Sequence, residues 1–305
     1  MRIISLLASA TEIVCALGAG EMLVGRSHEC DNPAWVLMLP PCTAAAFDAT
    51  VSSAAIDAEV RRRLAAAEPL YHMDTDLIQE LHADLLIAQA HCEVCAVTPE
   101  NVAATGCAIA SRILPLQAGN LAEIYKGISA IAAAIDRPAA GLHLIAQMQQ
   151  RLQAVRSATA AFTRRSVVVL EWTDPVFAMA NWGPELVQIA NGEALLGNPG
   201  KHSAAMDWTA VLAADPEFLI ITPCGYGLQR AQAEMPMMQR RPGWTNLRAV
   251  KNNQVVIADG NRYFNRSGTT VVETAELLAD ILHGTHLFHG SAAAWEWHRA
   301  NGVET

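Results

Sequence analysis

The feature that most constrains this chain is a long helical region over residues 120–162, flanked on both sides by alternating strand and helix patterns. Leu121, Ile124, Tyr125, Ile128, Ile131, Ala132 and Ile135 recur at three- and four-residue intervals, which marks one buried helical face. Asn120 followed by Glu123 forms a capping box with Asn in place of Ser or Thr, so the helix starts there. Asp136-Arg137-Pro138 interrupts it, because proline cannot donate an intrahelical hydrogen bond but suits the first turn of a new helix. Leu142, Ile145, Met148, Leu152 and Val155 continue the helical spacing to about Phe162. At about 1.5 Å per residue this second helix spans roughly 35 Å, the diameter of a small domain. It suits a strut between two lobes; the competing reading is an ordinary surface helix of one domain.

The flanks define an amino-terminal lobe (residues 1–119), the helical connector (120–162) and a carboxy-terminal lobe (163–305). The first lobe reads as strand 3–7, helix 10–17 opened by a Ser9-x-x-Glu12 capping box, a glycine stop at Gly18-Ala19-Gly20, and strand 22–25. Helices over 56–67 and 76–82 follow, then strand 85–88, a helix opened by Thr98-Pro99-Glu100, and strand 113–116. The unbroken Leu85-Leu86-Ile87-Ala88 marks a buried parallel strand. The second lobe offers strands 167–170, 218–222 and 255–258, with helices 185–190, 208–213, 228–238 and 271–283. An aromatic loop fills 171–184, and the tail after Phe288 reads as a docked terminal helix. Alternation of this kind predicts an α/β fold.

A net charge of −9 without any basic stripe argues against nucleic acid or an anionic membrane surface as partner. Arg61-Arg62-Arg63, the one basic cluster, fits a solvated helix face. No stretch reaches the ~20 apolar residues of a spanning helix. Residues 3–20 imitate a secretion signal only in part, since a single Arg2 precedes them and Glu12 interrupts them. Seven cysteines without framework spacing predict reduced thiols in the cytoplasm, or a periplasmic protein if a leader has been removed.

Ligands of open α/β sheets bind beyond the carboxyl ends of the strands. In the first lobe those loops hold His28, Glu29, Cys30, His91, Cys92, Glu93 and Cys95, with Ser9 and Gln89 beside them. In the second they hold Trp172, Trp182, Tyr226, Tyr263 and Phe264. A polar, metal-capable wall facing an aromatic one suits a large flat ligand. Cys92 and Cys95, with His28 and Cys30, are the candidate ligands for Zn or another transition metal. The competing reading makes these cysteines small buried apolar residues. No nucleophile elbow, phosphate-binding loop or dinucleotide fingerprint is present.

Arg2-Ile3-Ile4-Ser5-Leu6-Leu7-Ala8-Ser9-Ala10-Thr11-Glu12-Ile13 resembles the opening of the helical-backbone substrate-binding proteins that deliver cobalamin and ferric siderophores to ABC importers. The resemblance continues through Ala83-Asp84-Leu85-Leu86-Ile87, Asn181-Trp182-Gly183-Pro184-Glu185-Leu186, Ala214-Asp215-Pro216 and Asp259-Gly260-Asn261. Ser27-His28-Glu29-Cys30-Asp31 and Cys92-Glu93-Val94-Cys95 are similar to a subgroup of its cobalamin-binding, BtuF-like branch. The resemblance implies the class III periplasmic-binding-protein fold: two Rossmann-like lobes joined by a single long backbone helix, with limited hinge motion. It implies a cobalamin or other corrinoid ligand in the cleft between the lobes and an ABC transporter permease as partner. Asp76 offers the acidic residue that transport members present on the first lobe, whereas Thr209 stands at the matching position of the second. The expectation is a non-catalytic binding protein for a small metal complex. The competing class is a cytoplasmic enzyme or metal-binding protein using the same cleft with a Cys/His site.

Overall fold

Uninterrupted aliphatic runs form the inner strands of both sheets. The computed structural model describes residues 1–90, 96–104, 112–290 and 294–298. Its contacts divide the chain into two compact units, residues 1–51 with 55–148, and residues 52–54 with 149–305.

The first unit runs β1 (Ile3–Ser5), α1 (Ala8–Ala16), β2 (Leu23–Arg26), β3 (Thr43–Ala45), α2 (Ser53–Ala65), β4 (Tyr71–Met73), α3 (Thr75–Glu80), β5 (Leu85–Gln89), α4 (Pro99–Ala104), β6 (Arg112–Leu116), α5 (Leu121–Ala134) and α6 (Pro138–Thr159). The division between the units falls inside α6, after Met148. The sheet has the order β2-β1-β5-β6 with every pairing parallel, so the loops after its strands share one edge. Every residue of β5 is buried, as the aliphatic run requires. β3 and β4 form a separate antiparallel ribbon.

Helix α1 corrects one expectation. It begins at Ala8 with Leu7 at its N-cap, and Ser9 and Glu12 are buried inside it. The chain leaves β1 straight into helix, so Ser9 lies too far along to cap, and Glu12 instead accepts from Asn32 Nδ2 at 3.0 Å. The helix opened by Thr98-Pro99-Glu100 does form as α4, with Thr98 capping it reciprocally: Thr98 Oγ1 accepts from the Asn101 N–H at 3.2 Å, and Asn101 Oδ1 accepts from the Thr98 N–H at 2.9 Å.

Asn120 caps α5, its Oδ1 accepting from the Glu123 N–H at 2.9 Å while the Glu123 carboxylate reaches back to the Gly119 N–H. The stripe Leu121, Ile124, Ile128, Ile131, Ala132 is buried as the periodicity demands. Asn120→Ala is expected to lower the unfolding free energy by about 1 kcal/mol, the usual cost of a lost N-cap, measured by urea denaturation. In α6 Met148, Leu152 and Val155 are buried, but Leu142 is 70% exposed.

The second unit continues with β7 (Arg165–Trp172), β8 (Val176–Ala178), α7 (Gly183–Ile189), β9 (Gly192–Ala194), β10 (Ala205–Met206), α8 (Trp208–Ala214), β11 (Phe218–Ile221), α9 (Leu228–Gln232), α10 (Met235–Gln239), α11 (Arg248–Lys251), β12 (Val255–Ala258), α12 (Val271–His283) and β13 (Trp295–His298). Its sheet has the order β10-β8-β7-β11-β12-β13, with β9 alongside β7. The buried centre β7-β11-β12 is parallel, and the flanking β8 and β13 are antiparallel.

Three expectations change here. The single helix over 228–238 is broken into α9 and α10, because Pro236 cannot donate to the carbonyl of Gln232 and clashes with it. Part of the aromatic loop after β7 folds back as β8. Among the described residues of the tail, Trp295-Glu296-Trp297-His298, which alternates aromatic and polar residues, forms a strand that adds to the open side of β12. Among the described residues no helix is long and apolar enough to cross a membrane.

Candidate functional site

In the first unit the loop after β2 is shaped by Arg26, whose buried guanidinium donates to the carbonyls of Leu39 at 3.1 Å and Ser27 at 2.9 Å. That fold-back sets His28 against Thr43 of β3. His28 Nδ1 lies 2.8 Å from Thr43 Oγ1, and the same oxygen accepts the His28 backbone N–H at 3.1 Å. Thr43 Oγ1 in turn donates to Ser27 Oγ at 3.1 Å. Tyr71 of β4 stands beside the imidazole, ring centroids 5.7 Å apart. Burial lowers the His28 pKa, opposed by the Glu29 carboxylate and assisted by the Arg26 charge, so the ring is neutral near pH 7.

Cys30 does not face this site. It is fully buried, its Sγ accepting from Thr11 Oγ1 at 3.1 Å and donating to the Ser5 carbonyl at 3.7 Å, so the expected metal-ligand role of Cys30 is corrected to a core role. A small, weakly polar thiol fits such a position. Ser9, within α1, and Gln89, the last residue of β5, are buried at 2% and 3% exposure. His91, Cys92, Glu93 and Cys95 lie outside the described residues. Among the described residues no group of three or more His, Cys, Asp or Glu side chains is placed to hold a metal ion. Burial pushes Cys15 and Cys42 up to about 11, which keeps both thiols protonated and poor as ligands or nucleophiles at neutral pH.

In the second unit the strand-end edge carries an aromatic and cationic stack. Trp172 ends β7 half-buried, and Tyr226, itself buried at 5% exposure, follows β11; their rings meet with centroids 5.4 Å apart. Arg230 of α9 lies over the Tyr226 ring at 4.5 Å and donates to its hydroxyl at 3.2 Å. Tyr226 lies just before α9, whose N-cap is Gly227, and Arg230 of the helix reaches back over its ring. Glu234, buried, faces Arg230 at 3.4 Å and accepts from Ser53 Oγ at 2.7 Å and Thr173 Oγ1 at 2.8 Å. Arg241 donates to the Thr173 carbonyl, pairs with Asp174 at 3.3 Å, and lies over Trp208 at 5.4 Å. These arginines and Glu234 were missed in the sequence, although the Tyr226, Arg230, Glu234 spacing carried a signal.

The other aromatic candidates are buried, as Tyr226 is. Tyr263 is 2% and Phe264 0% exposed, because the turn after β12 tucks both inward, with Tyr263 edge-on to Phe288. Their ligand-facing role is therefore corrected to core packing. Trp182 is buried too, its Nε1 lacking a hydrogen-bond partner.

A family model described as periplasmic binding protein matches residues 3–261. No curated protein matches the chain in sequence. Among solved structures the chain is similar to the periplasmic vitamin B12 binding protein BtuF of Vibrio cholerae, with TM-score 0.67, 21% identity, and coverage of 93% of this chain and 97% of that one. It is also similar to a periplasmic heme binding protein from Pseudomonas aeruginosa, with TM-score 0.70, 17% identity, and 93% of each chain covered. A third likeness is to an ABC transporter substrate-binding protein from Listeria monocytogenes, with TM-score 0.67, 16% identity, and 93% and 98% covered. Identities this low establish the fold alone.

Proposed function

The chain belongs to the periplasmic binding protein family, with its class III α/β fold, and on that premise we propose that it is a non-catalytic receptor for a corrinoid or closely related metal chelate. The observation that most supports this reading is the Trp172–Tyr226–Arg230 stack at the strand ends of the second unit. A flat macrocycle gains most from aromatic side chains under its face and from a cation near its polar rim. His28 and Glu29 supply the polar contacts of the first unit, and the proposal extends to His91. The ligands named for similar structures, vitamin B12 and heme, are of this chemical kind. The corrinoid is cargo under this reading, and the partner that receives it is an ABC transporter permease. The compartment goes with the family description, periplasmic, against the cytoplasmic expectation drawn from the cysteines.

Titration with cobalamin, cobinamide and heme, followed by absorbance and calorimetry, tests the proposal. Cobalamin or cobinamide is expected to bind at about 1 μM or tighter, roughly −8 kcal/mol. Binding of heme alone would move the ligand from corrin to porphyrin. Silence toward all three would end the proposal, and turnover of a bound ligand would turn the protein into an enzyme.

A further inference from the structure

Each of the two arginines in the strand-end stack of the second unit comes with its own carboxylate. Arg230 Nη1 lies 3.4 Å from Glu234 Oε1, and Arg241 Nη2 lies 3.3 Å from Asp174 Oδ1. The pairs differ in burial. The Asp174 side chain is 43% exposed, so water and ions screen it, whereas that of Glu234 is 6% exposed and acts on Arg230 with little screening. Glu234 is also pinned, because its Oε2 accepts from Ser53 Oγ at 2.7 Å and from Thr173 Oγ1 at 2.8 Å. A carboxylate held at one oxygen by two hydroxyls and paired at the other with a guanidinium does not swing aside for a ligand. Arg230 itself remains 34% exposed above the Tyr226 ring, so it offers N–H donors whose positive charge is already balanced.

We propose that Glu234 determines specificity through Arg230: as its built-in counter-ion, it tunes the site to chelates whose rim carries neutral amides and against those whose rim carries carboxylates. An amide carbonyl at Arg230 takes a hydrogen bond and leaves the Arg230–Glu234 pair intact. A rim carboxylate at the same place meets a guanidinium that is already neutralised and, behind it, a buried like charge that cannot move away. Glu234 touches no ligand in this scheme. The inference rests on the reading of the site as a metal-chelate receptor and deepens it, because it chooses between two rims on otherwise equal macrocycles.

The probes are dicyanocobinamide, whose rim carries amides, and dicyanocobyrinic acid, whose rim carries carboxylates; cyanide on both faces keeps the metal out of the comparison. Titrations at low and high salt give the ratio of the two affinities, which a general loss of packing leaves unmoved because it weakens both. Wild type is expected to favour the amide rim by about tenfold or more. Glu234→Gln should narrow that preference about tenfold at low salt and by less at high salt. Arg230→Gln should move the ratio the opposite way, and the double variant Arg230→Gln/Glu234→Gln, from which both charges are gone, should return it close to the wild-type value. Equal effects on both probes in these variants, or a wild type that favours the carboxylate rim, would overturn the counter-ion role and leave the receptor reading standing. A wild type that binds neither probe would overturn both.

Discussion

Phe264→Ala is expected to lower the unfolding free energy by about 3–5 kcal/mol, the cost of deleting a fully buried aromatic side chain, while leaving chelate affinity of the folded protein nearly unchanged. Phe264 has no exposed surface, and its neighbour Tyr263 is fixed by Phe288 on its edge and by Thr274 Oγ1 donating to its carbonyl. A cavity at this position sits under the turn that follows β12, where flanking backbone is already hydrogen-bonded and collapses poorly. In urea the midpoint should fall with little change in slope, as for a change in stability without a change in the surface exposed. The opposite result, a stable variant that no longer binds, would return Phe264 to the ligand wall where its place after a strand first put it.

That contrast shows where the sequence was readable. β5, β11 and β12 are legible because a strand buried on both faces is built mainly of apolar residues, as Leu85–Ala88 and Val255–Ala258 are. The start of α5 is equally local: Asn120 and Glu123 cap whatever lies beyond them. The antiparallel additions were missed: β8 and the β3–β4 ribbon owe their conformation to a partner strand, while the aromatic–polar alternation of β13 was read as helix. Leu142 keeps the period of α6 yet stays exposed, since periodicity states which residues share a face and not how far the neighbouring structure covers it. At the site, strand-end position found His28 and Trp172, which stay partly exposed, but did not distinguish them from Cys30, Tyr226, Tyr263 and Phe264, which are buried. Pairings such as Thr43 with His28, or Ser53 with Glu234 across 181 residues, are set by chain path and leave no spacing to read.

The largest effect on both stability and binding is expected from Gly260→Ala. A Cβ on Gly260 would lie 2.2 Å from the Pro223 carbonyl oxygen and 2.6 Å from that of Thr222, against the ~3.5 Å at which nonbonded heavy atoms settle. Both obstacles are backbone, so no side-chain rotation relieves them and the loops after β11 and β12 have to separate. Three hydrogen bonds oppose that: Gly260 and Asn261 both donate backbone N–H to the Tyr226 carbonyl, at 2.9 and 3.0 Å, and Asn265 Nδ2, which also donates to the Gly260 carbonyl of its own loop, donates to the Thr222 carbonyl at 3.0 Å. At about 1 kcal/mol net for each bond lost, plus residual strain, the variant should lose roughly 3 kcal/mol or more. The separation also displaces Tyr226 from Trp172 and Arg230, so chelate affinity measured on the folded fraction should drop by about tenfold or more. Gly225→Ala provides the comparison: Gly225 has φ +76° but nothing within 4 Å of its Cβ position, so only the left-handed backbone penalty of about 1–2 kcal/mol applies. Urea melts and cobinamide titrations on the two variants therefore separate collision from backbone strain. Equal losses in both would show that the loops tolerate the added methyl and that close approach at Gly260 does not hold Tyr226 in place.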